Sequence, residues 1–233
     1  MSKVIFITGA RKGIGRFLAE HFLSQGHSVI GCSRRDSDLE HKSYNHYLVD
    51  VSDEKNVVKI TRRIVKEHGS IDVLLNNAGI AAMNAFLLTP GTTAERVFGT
   101  NTLGTFFMMR EVSKTMIKKR QGRIVNFSTV AVPLRLEGEA VYAASKAAVE
   151  SLTQIGAREL APYSITVNAI GPTPIATDLI KLIHKNKINA LIERQAIQRL
   201  GTFEDVLNVV EFLIDDRSSF VTGQTLYLGG VNG

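Results

Sequence analysis

The chain has 233 residues, of which 44% are hydrophobic and 21% are charged, as in a folded globular protein rather than a disordered or fibrous one. No apolar run approaches the roughly 18 residues that a membrane span requires, so we expect no membrane partner. The first residues already have the pattern of a strand and a turn, which leaves no room for a secretory leader. Cys32 is the only cysteine, which excludes an internal disulfide and agrees with a reducing compartment. We therefore expect a cytoplasmic protein.

The formal net charge of +6 favours an anionic partner. Nucleic acid, an acidic carrier protein and a phosphorylated cofactor all fit that sign of charge. Much of the excess lies in two basic runs, residues 114–123 and 181–187, and neither run contains an aromatic residue. The chain also has no Trp, so a surface that stacks on bases is poorly supported, and solvated helix faces are the simpler interpretation. We expect no nucleic-acid partner.

Short β-branched runs alternate along the chain with longer segments of helical period. Several strand runs are apolar at consecutive positions, as in strands buried on both faces of a sheet. This rhythm predicts an α/β fold, a single doubly wound domain over residues 1–233 with a mostly parallel sheet and helices on both faces. Strands are predicted at residues 3–8, 27–33, 71–77, 123–129, 165–170 and within 222–233, and helices at 13–25, 54–68, 93–119 and 140–161.

A glycine-rich stretch, TGARKGIG at residues 8–15, follows the first strand and opens the first helix. Its glycines let the backbone turn tightly and approach a pyrophosphate, while the helix N-terminus supplies N–H donors. The spacing differs from G-x-G-x-x-G, and an ordinary strand-to-helix turn is the alternative. We predict a dinucleotide phosphate site formed by Gly9, Arg11, Lys12, Gly13, Ile14 and Gly15.

The end of the second strand is where an acidic residue would hold the adenosine ribose of NAD. Here Ser33 occupies the discriminating position, Arg34 follows it, and Lys12 lies in the glycine loop. Two cations near one ribose suit a 2′-phosphate, because charge-assisted hydrogen bonds to phosphate are strong. The sequence therefore favours NADP(H) over NAD(H), the alternative being that both cations are solvated surface charges.

Tyr142 precedes Lys146 by one helical turn in the sequence YAASK. Residues at i and i+4 share a helix face, so both side chains project together. A phenol has a pKa of about 10, and a neighbouring ammonium lowers it, which suits the phenol to proton transfer with a reacting oxygen. A surface Tyr and Lys on a helix of mixed polarity is the alternative interpretation.

Taken together, four motifs resemble those of the short-chain dehydrogenase/reductase family, in the family's order and along nearly the whole chain. They are TGARKGIG, NNAG at residues 76–79, NTLG at residues 101–104 and YAASK at residues 142–146. The resemblance implies a Rossmann fold with a seventh strand, assembled as a homotetramer or homodimer. It also implies hydride transfer between NADP(H) and a small-molecule carbonyl or alcohol.

The same resemblance implies roles for individual residues. Tyr142 would be the acid/base, Lys146 would bind the nicotinamide ribose and lower the tyrosine pKa, and Asn101 would hold a relay water through its backbone carbonyl. The other implied cofactor positions are Asp50 and Val51 beside the adenine, Asn77, Ala78 and Gly79 along the ribose, and Pro172, Ile175 and Thr177 beside the nicotinamide.

The family's catalytic hydroxyl lies thirteen residues before the tyrosine, which gives Thr129 in this chain, with Ser128 one residue earlier. Adjacent strand residues face opposite sides of a sheet, so we expect only one of the two hydroxyls to reach the substrate. Thr129 is the preferred candidate and Ser128 the alternative. Either hydroxyl could instead be a structural group at the strand end.

The substrate is less defined by the sequence. Residues 179–198 predict a short apolar flap, and length and pattern resemble bacterial 3-oxoacyl-acyl-carrier-protein reductases. Arg120 matches one arginine that docks the acidic carrier, but Tyr163 occupies the second position. A 3-oxoacyl thioester is therefore the preferred substrate, a sugar, polyol or small ketone is the alternative, and a non-catalytic NADP sensor is the rival class. No spacing of His, Cys or acidic residues predicts a metal site.

Overall fold

The computed structural model describes residues 2–176 and 185–231. Its strands form one seven-stranded sheet in the order β3-β2-β1-β4-β5-β6-β7, and every neighbouring pair is parallel. The predicted doubly wound α/β fold is confirmed, with a sheet that is wholly rather than mostly parallel. The strands are β1 Val4–Thr8, β2 Ser28–Ser33, β3 Tyr44–Leu48, β4 Val73–Asn76, β5 Gly122–Phe127, β6 Ile165–Gly171 and β7 Thr225–Tyr227.

Helices cover both faces of the sheet because successive side chains of a strand point to opposite sides. In β1, Ile5 and Ile7 pack in a core with α1 and α8, whereas Phe6 packs in a second core with α2 and α4. No helix among the described residues is both long and apolar enough to cross a membrane. The helices are α1 Gly13–Ser24, α2 Glu54–His68, α3 Gly91–Phe98, α4 Gly104–Lys119, α5 Ala131–Leu134, α6 Ala140–Leu160, α7 Lys185–Glu193 and α8 Phe203–Ile214.

One local prediction needs correction, and two elements were not predicted. The single helix predicted at residues 93–119 begins at Gly91 and is interrupted by a π-helical turn, Gly99–Leu103, between α3 and α4. Strand β3 was not predicted, because its sequence YNHYL has consecutive polar residues at Asn45 and His46, and it lies at the sheet edge. Helix α8 was not predicted either, although Thr202 and Asp205 form a capping box at its start.

The sheet positions the site through its order. β1 pairs with β2 on one side and β4 on the other. The connection after β1 leads to β2, whereas the connection after β4 leads to β5 on the opposite side. A crevice therefore opens outside their carboxyl ends, as in other doubly wound sheets. The residues at the carboxyl ends of β1, β2 and β4 are Thr8, Ser33 and Asn76, and the segments that follow them line this crevice.

Candidate active site

The glycine loop has a shape that only glycine permits at its key positions. Gly9 and Gly13 have φ angles of +70° and +60°, in the left-handed region that glycine adopts without strain. A Cβ on Gly15 would lie 2.5 Å from the Gly9 carbonyl oxygen, so the helix could not approach the strand so closely. The predicted loop therefore brings the N-terminus of α1 against the end of β1.

Asn77, directly after the neighbouring strand β4, fixes that loop. Its Nδ2 donates to the carbonyl oxygens of Thr8 at 3.0 Å and Gly9 at 3.2 Å. The amide N–H of Ala78 donates to Thr8 Oγ1 at 2.9 Å. These bonds satisfy polar groups at the loop and preorganise it for a ligand.

A groove of about 910 Å³ extends from the glycine loop across the ends of β1, β2 and β4. Its wall includes almost all the residues predicted for the adenosine and pyrophosphate half of a dinucleotide, whereas Gly15 lies behind the loop rather than in the wall. Arg35 was missed although its position beside Arg34 was a signal. The wall residues that sequence analysis missed are Cys32, Arg35, Val49, Ile80, Thr100, Ala176 and Phe203. The predicted residues in the wall are Gly9, Arg11, Lys12, Gly13, Ile14, Ser33, Arg34, Asp50, Val51, Asn77, Ala78 and Gly79.

The β2 end of the groove is basic and exposed. Arg34 and Arg35 are both exposed there, and Arg11 lines the same groove. Asp50 lies in the wall and accepts hydrogen bonds from the Ser52 backbone N–H at 3.0 Å and hydroxyl at 2.6 Å. This distribution of charge suits an anionic group beside Ser33.

A buried asparagine joins the groove to α6. Asn101 lies in the π-helical turn, a feature that often marks functional sites. Its Oδ1 accepts from the Ile80 N–H at 2.8 Å, and its Nδ2 donates to the Ile80 carbonyl at 2.9 Å and to Ser145 Oγ at 3.0 Å. Its backbone carbonyl accepts from Thr105 Oγ1 at 2.7 Å, and a carbonyl oxygen has a second lone pair.

Next to the groove, a cavity of about 190 Å³ brings Tyr142, Lys146 and Thr129 together. The Thr129 side chain lies beside Tyr142 and acts to lower the pKa of its phenol. Lys146 Nζ donates to the Phe127 carbonyl at 2.6 Å. A Cβ on Gly79 would lie 3.3 Å from that Nζ, so this glycine keeps the space beside the ammonium open.

The two candidate hydroxyls point to different places. Ser128 Oγ donates to Glu150 Oε1, which also accepts from the Tyr227 hydroxyl at 2.7 Å. Thr129 Oγ1 faces Tyr142 and accepts from the Ala131 N–H at 3.2 Å. Ser128 therefore ties β5 to α6 and β7, whereas Thr129 lies beside the phenol. The Glu150 and Tyr227 tether had no sequence signal.

Burial sets the protonation states in this cavity. Burial raises the pKa of Tyr142 to about 12, against the opposing effect of the neighbouring Thr129 hydroxyl. It lowers the pKa of Lys146 to about 8. The expected lowering of the Tyr142 pKa by Lys146 stays a prediction, and removing the phenolate from water is the largest effect on the Tyr142 pKa. The phenol is protonated at neutral pH.

The nicotinamide-side segment lies on the other wall of this cavity. Pro172 and Ile175 line it, together with Thr173 and Pro174. Thr177 and residues 179–184 of the predicted flap lie outside the described residues, while α7 contributes Leu191 to the wall. Within residues 2–176 and 185–231, no group of three His, Cys, Asp or Glu residues could hold a metal ion.

Known proteins resemble the chain over nearly its full length. A family model described as enoyl-(acyl carrier protein) reductase matches residues 9–232. A 3-oxoacyl-[acyl-carrier-protein] reductase of Staphylococcus epidermidis is 31% identical over 99% of this chain and 98% of its own. The reductase of the same name from Escherichia coli strain K12 is 31% identical over 98% and 96%.

Solved structures extend this likeness to several substrates. ElxO with NADP bound has a TM-score of 0.91 and 34% identity, covering 99% of this chain and 98% of its own. The aldohexose dehydrogenase of Thermoplasma acidophilum has a TM-score of 0.90 and 33% identity over 99% and 94%. NAD⁺-bound xylitol dehydrogenase has a TM-score of 0.89 and 30% identity over 98% of both chains. These proteins share a fold and differ in substrate and nucleotide.

Proposed function

The chain belongs to the short-chain dehydrogenase/reductase family of NAD(P)-dependent oxidoreductases that act on CH–OH and C=O groups, and we propose that it is an NADPH-dependent carbonyl reductase. The observation that carries this proposal is the meeting of the Thr129 and Tyr142 hydroxyls in one cavity beside the dinucleotide groove. Two hydroxyls at one point suit a single oxygen atom that becomes an alkoxide. The substrate we propose is a 3-oxoacyl thioester carried on an acidic carrier protein.

The groove fits a dinucleotide phosphate. Gly9, Gly13 and Gly15 form a cradle that a Cβ at position 15 would fill, and Asn77 holds that cradle in place. When bound, NADPH supplies the hydride. Arg34 and Arg11 offer donors to its 2′-phosphate at the β2 end of the groove. That NADP is bound in ElxO supports this choice, while NAD⁺ in xylitol dehydrogenase makes NAD(H) the alternative.

Thr129 and Tyr142 divide the work at the substrate oxygen. Negative charge develops on that oxygen as the carbonyl is reduced, and the Thr129 hydroxyl donates to it in a site shielded from water. Tyr142 then gives up its proton, since burial keeps the phenol protonated at neutral pH. Donation from two preorganised hydroxyls stabilises the transition state more than the neutral ketone.

Lys146 and Asn101 return the proton to Tyr142 in this proposal. Lys146 is a proton donor beside the cavity with a pKa of about 8, so it exchanges protons readily near neutral pH. In this relay the Asn101 carbonyl, which also accepts from Thr105 Oγ1, holds the bridging water. The bonds of its side chain to Ile80 and Ser145 keep that carbonyl in position.

The cavity lining supports an acyl substrate over a polyol. Much of its wall is aliphatic, which suits a hydrocarbon chain better than a row of hydroxyls. The apolar residues among its lining include Ile80, Ala81, Met83, Val130, Leu136 and Leu191. The sugar and polyol dehydrogenases with similar structures keep a small hydroxylated ketone as the second candidate.

Arg120 is the residue we propose for docking the acidic carrier. It is exposed at the end of α4, where its guanidinium donates to the Pro162 carbonyl at 2.8 Å and lies 5.9 Å from the centre of the Tyr163 ring. Tyr163 replaces the second expected cation and holds Arg120 instead. We further propose a cytoplasmic homotetramer or homodimer, which would cover exposed apolar residues such as Phe86, Leu87 and Phe220.

The test follows NADPH oxidation at neutral pH with a short 3-oxoacyl thioester, and in parallel with a keto sugar. We expect faster turnover with the thioester, weaker turnover with NADH, and loss of turnover with retained NADPH binding in Tyr142→Phe. Turnover of the sugar alone would move the proposal to the second candidate. NADPH binding without turnover of either substrate would favour the rival class, a non-catalytic NADP sensor.

A further inference from the structure

A chain of hydrogen bonds runs from β3 to the turn after β2. The Tyr44 hydroxyl lies 2.7 Å from His46 Nδ1, and His46 Nε2 lies 2.8 Å from Ser33 Oγ. Ser33 Oγ in turn donates to the Arg35 carbonyl oxygen. Neither Tyr44 nor His46 lines the groove, whereas Ser33 does. These hydrogen bonds therefore reach the groove wall from the side away from the groove.

The direction of each bond follows from the chemistry of its last acceptor. A carbonyl oxygen only accepts, so the Ser33 hydroxyl spends its single proton on Arg35. Ser33 Oγ must then accept from His46 Nε2–H. His46 Nδ1 can then accept the Tyr44 proton when the ring is neutral, and burial, which lowers the pKa of His46, favours that form. One tautomer of His46 satisfies the whole chain.

Local packing shows that this arrangement is specific. Gly31 pairs with His46 across the β2 and β3 strands, and a Cβ on Gly31 would lie 2.2 Å from the Tyr44 hydroxyl oxygen. The missing side chain at position 31 therefore makes room for the hydroxyl that orients His46. Tyr44 is 8% exposed, so its ring is fixed by the core.

The hydrogen bonds from His46 through Ser33 hold both sequence neighbours of Arg34. Ser33 is tied to His46 and to Arg35, so the backbone on each side of Arg34 has a fixed position. Arg34 itself is exposed and lines the groove with Arg35. An exposed arginine loses conformational freedom when it binds a ligand, and a fixed backbone reduces that loss.

We propose that His46 is a positioning residue for nucleotide discrimination: by holding Ser33 it sets the turn from Ser33 to Arg35 in the orientation that receives the 2′-phosphate. This proposal rests on the NADPH preference proposed above. Since NADH lacks that phosphate, His46 contributes to the affinity for NADPH and has almost no effect on the affinity for NADH.

The experiment measures dissociation constants of NADPH and NADH by titration calorimetry, with kcat at saturating cofactor, for the unaltered protein and three variants. In His46→Leu we expect NADPH affinity to fall about five- to tenfold, as for a lost positioning hydrogen bond. NADH affinity and kcat should stay within about twofold. His46→Gln, which can place an amide N–H near Ser33 Oγ, should recover part of the loss. Tyr44→Phe removes the hydroxyl that orients the His46 imidazole but leaves that imidazole in place, so it should show a smaller loss of NADPH affinity.

The outcomes separate the two proposals. If the unaltered protein binds NADH as tightly as NADPH, the cofactor assignment fails and the role of His46 fails with it. If the unaltered protein prefers NADPH but His46→Leu weakens both nucleotides equally, or neither, the role of His46 alone is overturned. Should His46→Leu not fold, His46→Gln and Tyr44→Phe decide, and an unchanged ratio of the two affinities in both would overturn the proposal.

Discussion

The two ends of the crevice solve different physical problems. Around Tyr142 and Lys146, burial shifts both pKa values by desolvation, the first to about 12 and the second to about 8. At the β2 end, Arg34 and Arg35 are exposed, and hydrogen bonds behind them order the backbone that carries them. The cavity end sets the protonation states of Tyr142 and Lys146, and the β2 end fixes the positions of exposed arginines.

This difference explains why the two ends should respond differently to change. A group that exchanges a proton in the transition state contributes to rate, whereas a group that contacts a remote phosphate contributes to binding. Substitutions in the cavity should therefore act mainly on kcat, and substitutions at the β2 end on cofactor affinity. The predictions below test that separation.

Tyr142→Phe should have the largest effect. Loss of the proton donor should lower kcat by about 10²- to 10⁴-fold, the range typical of general acid catalysis, while the NADPH dissociation constant stays unchanged. Stopped-flow turnover and calorimetric titration of the same preparation provide both numbers. Tyr163→Phe, which removes a phenol outside the cavity, is the matched control and should keep its rate with a free thioester. A large loss of NADPH affinity in Tyr142→Phe would break the separation.

Thr129→Ala and Ser128→Ala form the next comparison. Removing a donor to a developing alkoxide costs about 10²- to 10³-fold in kcat, and we expect that loss for Thr129→Ala alone. Ser128→Ala removes a hydrogen bond to Glu150. It should therefore lower the free energy of unfolding by roughly 1–2 kcal/mol and leave kcat nearly unchanged. A kcat loss in Ser128→Ala with an unchanged kcat in Thr129→Ala would mean that the substrate oxygen contacts the Ser128 hydroxyl instead.

The pH dependence should differ between the two reaction directions. Burial raises the pKa of Tyr142 to about 12, so the phenol is protonated and able to donate over the whole range between about pH 6 and 9. Carbonyl reduction should therefore be nearly flat there with respect to Tyr142. Alcohol oxidation needs the phenolate, whose fraction rises about tenfold per pH unit below the pKa, so its rate should rise with pH. Initial rates in both directions, in one buffer series, measure this.

Lys146 should add a second feature to the oxidation profile. Burial lowers its pKa to about 8, so it changes from ammonium to amine within the measured range, and the profile should bend near that pH. Lys146→Met should remove the bend while the slope due to Tyr142 remains. A bend that persists in Lys146→Met would assign it to another group.

Much of the cavity and glycine loop could be predicted because their chemistry depends on residues close in sequence. Tyr142 and Lys146 share a helix face by spacing alone, and the glycines of the loop follow from a strand and a helix joined tightly. The parallel sheet followed from strand runs that are apolar at consecutive positions. Each of these features is local, or follows from a period that the sequence displays directly.

The remaining features depend on contacts between distant segments. The tether from Ser128 to Glu150 and Tyr227 joins β5, α6 and β7, and no spacing in the sequence reveals it. The chain through Tyr44 and His46 needs β3, an edge strand whose polar positions hid it. The π-helical turn at Asn101 was hidden because its residues continue a helical pattern. The raised pKa of Tyr142 depends on the partial burial of its side chain, which only packing determines.

Arg34→Ala should have a small effect that is confined to NADPH binding. Because Arg34 is exposed, water and salt screen its interaction with phosphate, and we expect NADPH affinity to fall only about three- to tenfold. NADH affinity and kcat should not change. Raising salt should weaken NADPH binding less in the variant than in the unaltered protein, since one charge pair has been removed.

Arg158→Ala, at an exposed cation on α6 that does not line the groove, is the control for Arg34→Ala and should alter none of these values. A fall in kcat at saturating NADPH for Arg34→Ala would mean that the β2 end also positions the reacting atoms, and the two ends could then no longer be treated as independent.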